Sequence, residues 1–153
     1  MMHRRSVLLA ALSLPIANLP AMAAAEPDIL VMKSPTCGCC SAWVTHLDAA
    51  DLGQIESRNL PDERLWEIKA RLGITEALAS CHTALLLGRY VIEGHVPASD
   101  IRRLMQDQPD ALGLTVPGMP IGSPGMEMQD QKEAFDTLLI HADGTTSVYA
   151  THS

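Results

Sequence analysis

Three of the four cysteines in this chain, Cys37, Cys39 and Cys40, lie within four consecutive positions, and Cys81 follows about forty residues later beside a histidine. The three come directly after an apolar run and open a stretch with helical spacing of apolar residues, so we expect them at a strand-to-helix turn. At the start of a helix, unpaired backbone N–H groups and the positive end of the helix dipole favour the thiolate form of cysteine. Thiolates attack disulfides and bind metal ions, so the turn is suited to either chemistry.

The turn combines two cysteine spacings. Cys37 and Cys40 have the C-x-x-C spacing of a dithiol redox site, and Cys37 and Cys39 form C-x-C around Gly38, which we expect to let the backbone turn tightly. A bridge between the adjacent Cys39 and Cys40, or between Cys37 and Cys39, would be strained and would close almost no loop, so a structural disulfide framework is disfavoured. A third adjacent thiol would compete with simple dithiol exchange, which favours a metal site.

The spacing of apolar residues also predicts the elements that position this turn. We expect strands at 29–33 and 54–59, helices at 38–50 and 61–72, a β-hairpin at 84–93 and a third helix between Pro97 and Pro109. The order β-α-β-α-β-β-α is that of a thioredoxin-like α/β domain. In such a domain the cysteine turn joins the first strand to the first helix.

Two further segments complete the chain. Residues 114–128 contain three Pro, three Gly and three Met, which predicts a long irregular loop packed against the domain. Within it, Met119 and Met126 are candidates to lend thioethers to the site or to shield it from water, with ordinary gap-filling as the alternative. An added C-terminal β-hairpin is predicted from strands at 135–141 and 146–151 around the Asp143-Gly144 turn.

Cys81 and His82 precede the third predicted strand, where thioredoxin-type oxidoreductases generally carry a proline. A fourth thiol and an imidazole at that place make a soft donor set, which selects Cu(I), zinc or an iron–sulfur cluster. Zinc sites usually pair C-x₂₋₄-C motifs, and iron–sulfur sites have other spacings. The nearby Met-rich segment and the export signal described below favour copper. His82 is a candidate ligand unless it points to the opposite face. We expect Trp43 in the core, His95 at the end of a strand as a hydrogen-bonding histidine, and His46 on the solvent-facing side of the first helix. His141 and His152 are expected at the surface.

Residues 1–25 have the features of a secretory signal peptide, namely Arg4-Arg5, an apolar stretch from Val7 to Ile16 and small-residue cleavage sites ending at Ala25. This divides the chain into a signal peptide, 1–25, and a metal-binding domain, 26–153, which we expect in the periplasm without a stable membrane anchor. The formal net charge of −7 argues against nucleic acid as a partner, because nucleic-acid binding needs a basic surface.

Four motifs, at 34–40, 80–84, 90–97 and 116–127, resemble in content and order those of the CopG family of bacterial copper-resistance proteins. The resemblance implies a thioredoxin-like fold, periplasmic location and copper bound by the C-x-C-C cysteines together with the later one. It also implies a thiolate-bridged multinuclear cluster that interconverts Cu(I) and Cu(II). Carried over to this chain, the metal ligands are Cys37, Cys39, Cys40 and Cys81.

Three functions therefore stand as hypotheses. The leading one is a periplasmic copper-binding protein of copper resistance, whose partners are copper ions and other periplasmic copper-handling proteins. The second is a thiol–disulfide oxidoreductase with Cys37 and Cys40 as its catalytic pair. The third is a structural zinc-binding module. Whether the copper protein is also an enzyme is left open by the sequence.

Overall fold

A computed structural model describes residues 26–153, so the predicted signal peptide lies outside the described residues. The first seven elements follow the predicted order: β1 (Ile29–Lys33), α1 (Gly38–Ala49), β2 (Ile55–Asn59), α2 (Asp62–Arg71), β3 (His82–Leu86), β4 (Tyr90–Gly94) and α3 (Ala98–Asp107). Three strands complete the chain: β5 (Gly113–Val116), β6 (Phe135–Ile140) and β7 (Thr146–His152). Within this range no helix has both the length and the apolar character needed to cross a membrane.

The strands form one mixed sheet in the order β2-β1-β3-β4-β5-β6-β7. β1 is parallel to β2 and antiparallel to β3, and in this register Lys33 at the end of β1 is paired with His82 at the start of β3. The residues just after β1 and just before β3 therefore meet at one edge of the sheet. This register brings the cysteine turn and Cys81 together across a long stretch of sequence.

The prediction of an irregular loop from residue 114 onward is wrong at its start, because Leu114, Thr115 and Val116 belong to β5. β5 is parallel to β4 and antiparallel to β6, so the predicted C-terminal hairpin continues the main sheet. Gly113 allows β5 to approach β4 closely, since a Cβ at this position would lie 1.8 Å from the carbonyl oxygen of Val91 in β4. The density of Pro and Gly in the following residues hid this short strand.

An aliphatic core fills the space between the sheet and helices α1 and α3. Trp43 is fully buried in it, as predicted, and its indole N–H donates to the carbonyl oxygen of Val96 at 2.9 Å. Ile92 belongs to this core, whereas its neighbour Val91 packs with Ile74 in a smaller cluster, as expected when side chains alternate between the faces of a strand. Helix α1 is therefore packed into the core through Trp43, and this holds the cysteine turn at the start of the helix in place.

Candidate metal centre

The cysteine turn forms the start of α1. Cys37 is the N-cap residue, and its sulfur accepts a hydrogen bond from the backbone N–H of Cys40 at 3.3 Å. Cys40 is fully buried, whereas Cys37 and Cys39 are partly exposed. Gly38 lies in the first turn of the helix with an ordinary φ, and a Cβ there would have no described atom within 4 Å. The expectation that Gly38 provides a special turn is therefore not supported by the backbone.

Cys37 and Cys40 are joined by a disulfide, while Cys39 and Cys81 are free thiols. The bonded pair is the C-x-x-C dithiol that the sequence singled out. Because its two cysteines are only three positions apart, the bond closes almost no loop and contributes little as a structural staple. The structure thus shows the oxidised form of the site, and all four thiolates become available only when this disulfide is reduced.

Cys81, the residue directly before β3, lies next to the cysteine turn, as the pairing of Lys33 with His82 requires. Its sulfur lies 3.8 Å from that of Cys39, which in turn lies 3.4 Å from that of Cys37. The ligand atoms of the predicted set, Cys37, Cys39, Cys40 and Cys81, all lie within 4.8 Å of one another. Two segments distant in sequence thus present four sulfur atoms to one small volume.

His95 joins this group, although the sequence pointed only to a hydrogen-bonding role. Its Nδ1 lies 2.8 Å from the carbonyl oxygen of Pro124, which can only accept, so Nδ1 carries the proton. The unprotonated Nε2 lies 3.1 Å from the sulfur of Cys81. One signal could have found this residue, because His95 directly follows β4, which pairs with the strand that begins beside Cys81.

His82 is fully buried, and its Nδ1 lies 3.5 Å from the sulfur of Cys81. Cys81, His82 and His95 form a second group whose ligand atoms lie within 4.8 Å of one another. The other ring nitrogen of His82, Nε2, has no hydrogen-bond partner within residues 26–153. A buried nitrogen without a hydrogen-bond partner costs about 1–3 kcal/mol.

Burial sets the protonation of these groups. It lowers the pKa of His82 well below the usual value, with further contributions from His95 and Lys69, and it also lowers the pKa of His95. Both rings are therefore neutral at neutral pH, which is the form that binds metals. Burial likewise raises the pKa of Cys81 to about 12, with the Cys39 thiol adding to the effect. A metal ion bound by Cys81 must therefore displace a proton.

The loop between β5 and β6, residues 117–134, is rich in Pro, Gly and Met and is called the Pro/Gly/Met-rich loop below. Its backbone packs against the site. Pro124 accepts the hydrogen bond from His95, and a Cβ at Gly125 would lie 2.7 Å from both the carbonyl oxygen of Cys39 and the backbone nitrogen of Trp43. Met126 follows directly and is half-buried, whereas Met119 is 52% exposed. Of the two predicted methionines, Met126 is therefore the better placed to contribute.

A cavity of about 300 Å³ opens beside the thiols, lined by Ser34, Cys37, Trp66, Lys69, Ser80 and Cys81 among others. It gives solvent access to the sulfur atoms from the side of α2. A larger cavity of about 510 Å³ is lined by residues 127–131, and none of these is a cysteine. We therefore regard the smaller cavity as the entrance to the site.

The other three histidines within residues 26–153, His46, His141 and His152, lie outside the site. His46, predicted to face solvent, is half-buried, and its Nε2 accepts the backbone N–H of Ala98 at the start of α3. His152, also predicted at the surface, is partly buried, lies 2.9 Å from the carboxylate of Asp100 and stacks on Phe135. His141 hydrogen-bonds Ser147 at the exposed β6–β7 turn, consistent with its prediction.

Fold and site together define an α/β protein with a cysteine cluster that could bind a metal ion. A family model described as "Protein of unknown function, DUF411" matches residues 78–126. A solved structure described as "Copper resistance protein copG- Form 2" is 36% identical, with 84% of this chain and 100% of that chain covered and a TM-score of 0.75. A second, "Copper resistance protein copG- Form 1", is 40% identical, with 83% and 98% covered and a TM-score of 0.73.

No curated protein matches the chain. The identity and coverage of the two solved structures show that this chain belongs to the CopG family of copper-resistance proteins.

Proposed function

We propose that this chain is a periplasmic copper-binding protein of copper resistance, which holds Cu(I) with the thiolates of Cys37, Cys39, Cys40 and Cys81. The observation that carries the proposal is the convergence of these four sulfur atoms within 4.8 Å of one another. Thiolate is a soft ligand that selects Cu(I) over harder ions. The names of the two similar solved structures support copper as the metal.

The site holds more than one copper ion. Two sulfurs on one tetrahedral metal lie roughly 3.8 Å apart when metal–sulfur bonds are about 2.3 Å long, as in zinc sites. The Cys39–Cys81 separation of 3.8 Å agrees with this spacing, and the Cys37–Cys39 separation of 3.4 Å lies a little below it. Four thiolates around a single Cu(I) would leave a large negative charge, whereas bridging thiolates with several ions offset it.

The imidazoles of His82 and His95 extend the donor set beyond sulfur, with Met126 and, more weakly, Met119 as further candidates. Imidazole nitrogen also suits Cu(II), so a mixed set of sulfur and nitrogen accommodates both oxidation states. This supports interconversion of Cu(I) and Cu(II) at the site. Each conversion of Cu(I) to Cu(II) releases one electron, which an electron acceptor outside the chain takes up.

The wider setting follows from the sequence. Residues 1–25 export the chain to the periplasm, where copper-handling proteins are its partners. The β-α-β-α-β-β-α order and the strand order β2-β1-β3-β4 support a thioredoxin-like core, extended by β5, β6 and β7. The cavity beside Cys37 and Cys81 is where copper enters.

The Cys37–Cys40 disulfide favours a second candidate function, thiol–disulfide exchange. A thiolate of a partner would attack the Cys37 sulfur, form a mixed disulfide and release Cys40 as a thiolate. A second partner thiolate would then displace Cys37, which leaves the partner oxidised and the chain reduced. The partly exposed Cys37 and the buried Cys40 suit these two roles.

Metal analysis of the reduced protein, purified without oxygen, tests the proposal. We expect several Cu(I) ions per chain, fewer in Cys81→Ala, and an unchanged number in the control Ser41→Ala, which alters the same turn but no thiol. Absence of copper together with efficient disulfide reduction by Cys37 and Cys40 would support the oxidoreductase instead. One zinc ion and no copper would support a structural zinc module.

A further inference from the structure

A buried ion pair adjoins the site. Lys69 of α2 and Glu93 of β4 are in direct contact, with side chains that are 2% and 0% exposed. Removing two charges from water is costly, and a buried pair is often no more stabilising than two apolar side chains of similar size. Stability alone therefore does not explain why this small domain carries the pair.

The hydrogen bonds of the pair are directed at the segment that carries Cys81. Glu93 Oε1 accepts the backbone N–H of Ser80 at 2.6 Å, and its Oε2 accepts the hydroxyl of Thr83 at 2.5 Å. Lys69 donates to the same Thr83 hydroxyl at 2.8 Å as well as to Glu93. Ser80 and Thr83, which flank Cys81 and His82 in the sequence, thus both donate hydrogen bonds to the carboxylate of Glu93.

Ser80 and Cys81 precede β3, so contacts from neighbouring segments hold them: the Ser80 hydroxyl donates to the Gly118 carbonyl oxygen, and the Ser80 backbone N–H donates to Glu93. The sulfur of Cys81 must lie within bonding range of a metal shared with Cys39 and His95, from which it is 3.8 Å and 3.1 Å away. Functional groups of a metal site have to be held to within about 0.5 Å. The carboxylate of Glu93 supplies a fixed anchor one residue from the ligand.

We propose that Glu93, held by Lys69, is a positioning residue that fixes the Ser80–Cys81 backbone so that Cys81 reaches the copper ions bound by the cysteine turn. This rests on the proposed function for its copper readout. The carboxylate of Glu93 hydrogen-bonds Lys69, Ser80 and Thr83, and it acts on Cys81 through the backbone N–H of Ser80. Lys69 holds the carboxylate in place by direct contact, and it also lines the cavity onto which Cys37 and Cys81 open.

Two uncharged double variants separate positioning from stability. Lys69→Met with Glu93→Gln keeps an oxygen that accepts the Ser80 N–H, whereas Lys69→Met with Glu93→Leu leaves that N–H without its acceptor. Both avoid the lone buried charge that a single substitution would create. The control pair, Arg64→Met with Glu67→Gln, neutralises an exposed ion pair on the same helix.

The first readout is Cu(I) affinity of the reduced protein in competition with a Cu(I)-specific chelator. We expect the Leu double variant to bind Cu(I) about tenfold or more weakly than the Gln double variant and the control, which is the size of effect typical of supporting groups at metal sites. The second readout needs no copper. In the reduced apoprotein, Cys81 of the Leu variant should be alkylated about tenfold faster than in the Gln variant, with Cys39 unchanged, because thiol modification follows accessibility.

A folded Leu variant with the copper affinity and the Cys81 alkylation rate of the Gln variant would overturn the proposal. If the Leu variant does not fold, Glu93→Asp is used, since it keeps the charge but shortens the side chain by one methylene. A folded Asp variant with wild-type alkylation at Cys81 would overturn the proposal equally. Failure of the wild-type protein to bind copper would contradict the proposed function, while the alkylation rates would still decide the role of Glu93.

Discussion

The imidazole of His95 bridges the Pro/Gly/Met-rich loop and the cysteine site, with Nδ1 2.8 Å from the Pro124 carbonyl oxygen and Nε2 3.1 Å from the Cys81 sulfur. The carbonyl fixes which nitrogen carries the proton and thereby directs the lone pair of the other towards Cys81. An outer hydrogen bond of this kind is the usual way in which proteins orient a histidine ligand.

The first prediction concerns this ring. Substituting His95→Ala should lower Cu(I) affinity by about 10–100-fold, because it removes a nitrogen beside Cys81 and releases the loop at Pro124. Competition with a Cu(I)-specific chelator measures the change. His141→Ala, on the exposed β6–β7 turn, is the control and should bind as the wild type does. Equal affinities for the two variants would remove His95 from the site.

The second prediction follows from the Cys37–Cys40 disulfide. In the oxidised protein these two sulfurs are bonded to each other, so we expect it to bind fewer copper ions than the reduced protein. Copper per chain, measured before and after reduction by a dithiol, tests this. The double variant Cys37→Ala with Cys40→Ala should bind the same low number under both conditions. A wild-type copper content that is independent of reduction would show that Cys37 and Cys40 are not ligands.

The third prediction concerns the contact between the loop and α1. Gly125 has φ +85°, and a Cβ there would lie 2.7 Å from two backbone atoms of α1, so Gly125→Ala must shift the loop. Backbone strain of this kind costs about 1–3 kcal/mol. Gly144→Ala is a matched control, because Gly144 has φ +82° but no described atom within 4 Å of its Cβ position. We expect a larger loss of unfolding free energy for Gly125→Ala, together with weaker copper binding that Gly144→Ala does not show.

The fourth prediction concerns pH. Burial lowers the pKa of His46, partly offset by Glu127, and the neutral ring accepts the Ala98 N–H at the start of α3. As the pH falls below the ordinary histidine value of about 6.5, the unfolded chain takes up a proton before the folded protein does. The stabilisation is therefore complete above that value and is lost as the pH falls through the folded pKa. Buried His82 and His95 act in the same direction.

Denaturant unfolding between about pH 7.5 and about pH 5.5 measures this effect. The wild type should lose stability as the pH falls, and His46→Gln, which keeps an acceptor but does not titrate, should lose less. The control His141→Gln should follow the wild type. If the unfolding free energy of His46→Gln falls with pH as steeply as that of the wild type, His46 is not the neutral acceptor of the Ala98 N–H.

The sequence predicted the thiols of the site because their spacing is itself the signal. Cys37, Cys39 and Cys40 are close together in the sequence, and the expected order of strands predicts that Cys81 lies beside them in the fold. The expected pairing of β3 with β4 could also have placed His95 near Cys81, but the same reasoning could not assign a role to Lys69 or Glu93. Their roles depend on the register of β3 with β4 and on which face of α2 is buried, and no local spacing encodes these contacts.

Helices and strands with regularly spaced apolar residues were predicted correctly, whereas a short strand followed by many Pro and Gly residues was missed. Helix α1 and strand β1 have clear apolar spacing, and their observed bounds agree with the prediction to within a residue. The four residues of β5 precede a run of Pro and Gly, and their strand character comes from pairing with β4 and β6. The prediction that His46 and His152 lie at the surface is wrong, because their tertiary hydrogen bonds to Ala98 and Asp100 leave no trace in the sequence.

X-ray absorption at the copper edge of the reduced, Cu(I)-loaded protein tests the central claim most directly, since it reports the atoms bonded to copper and any neighbouring copper ion. Thiolate ligation by Cys37, Cys39, Cys40 and Cys81 predicts a first shell dominated by sulfur and a short copper–copper vector, which weakens in Cys81→Ala. A first shell of nitrogen and oxygen alone, or copper ions without a copper neighbour, would contradict a cysteine-bridged multinuclear site.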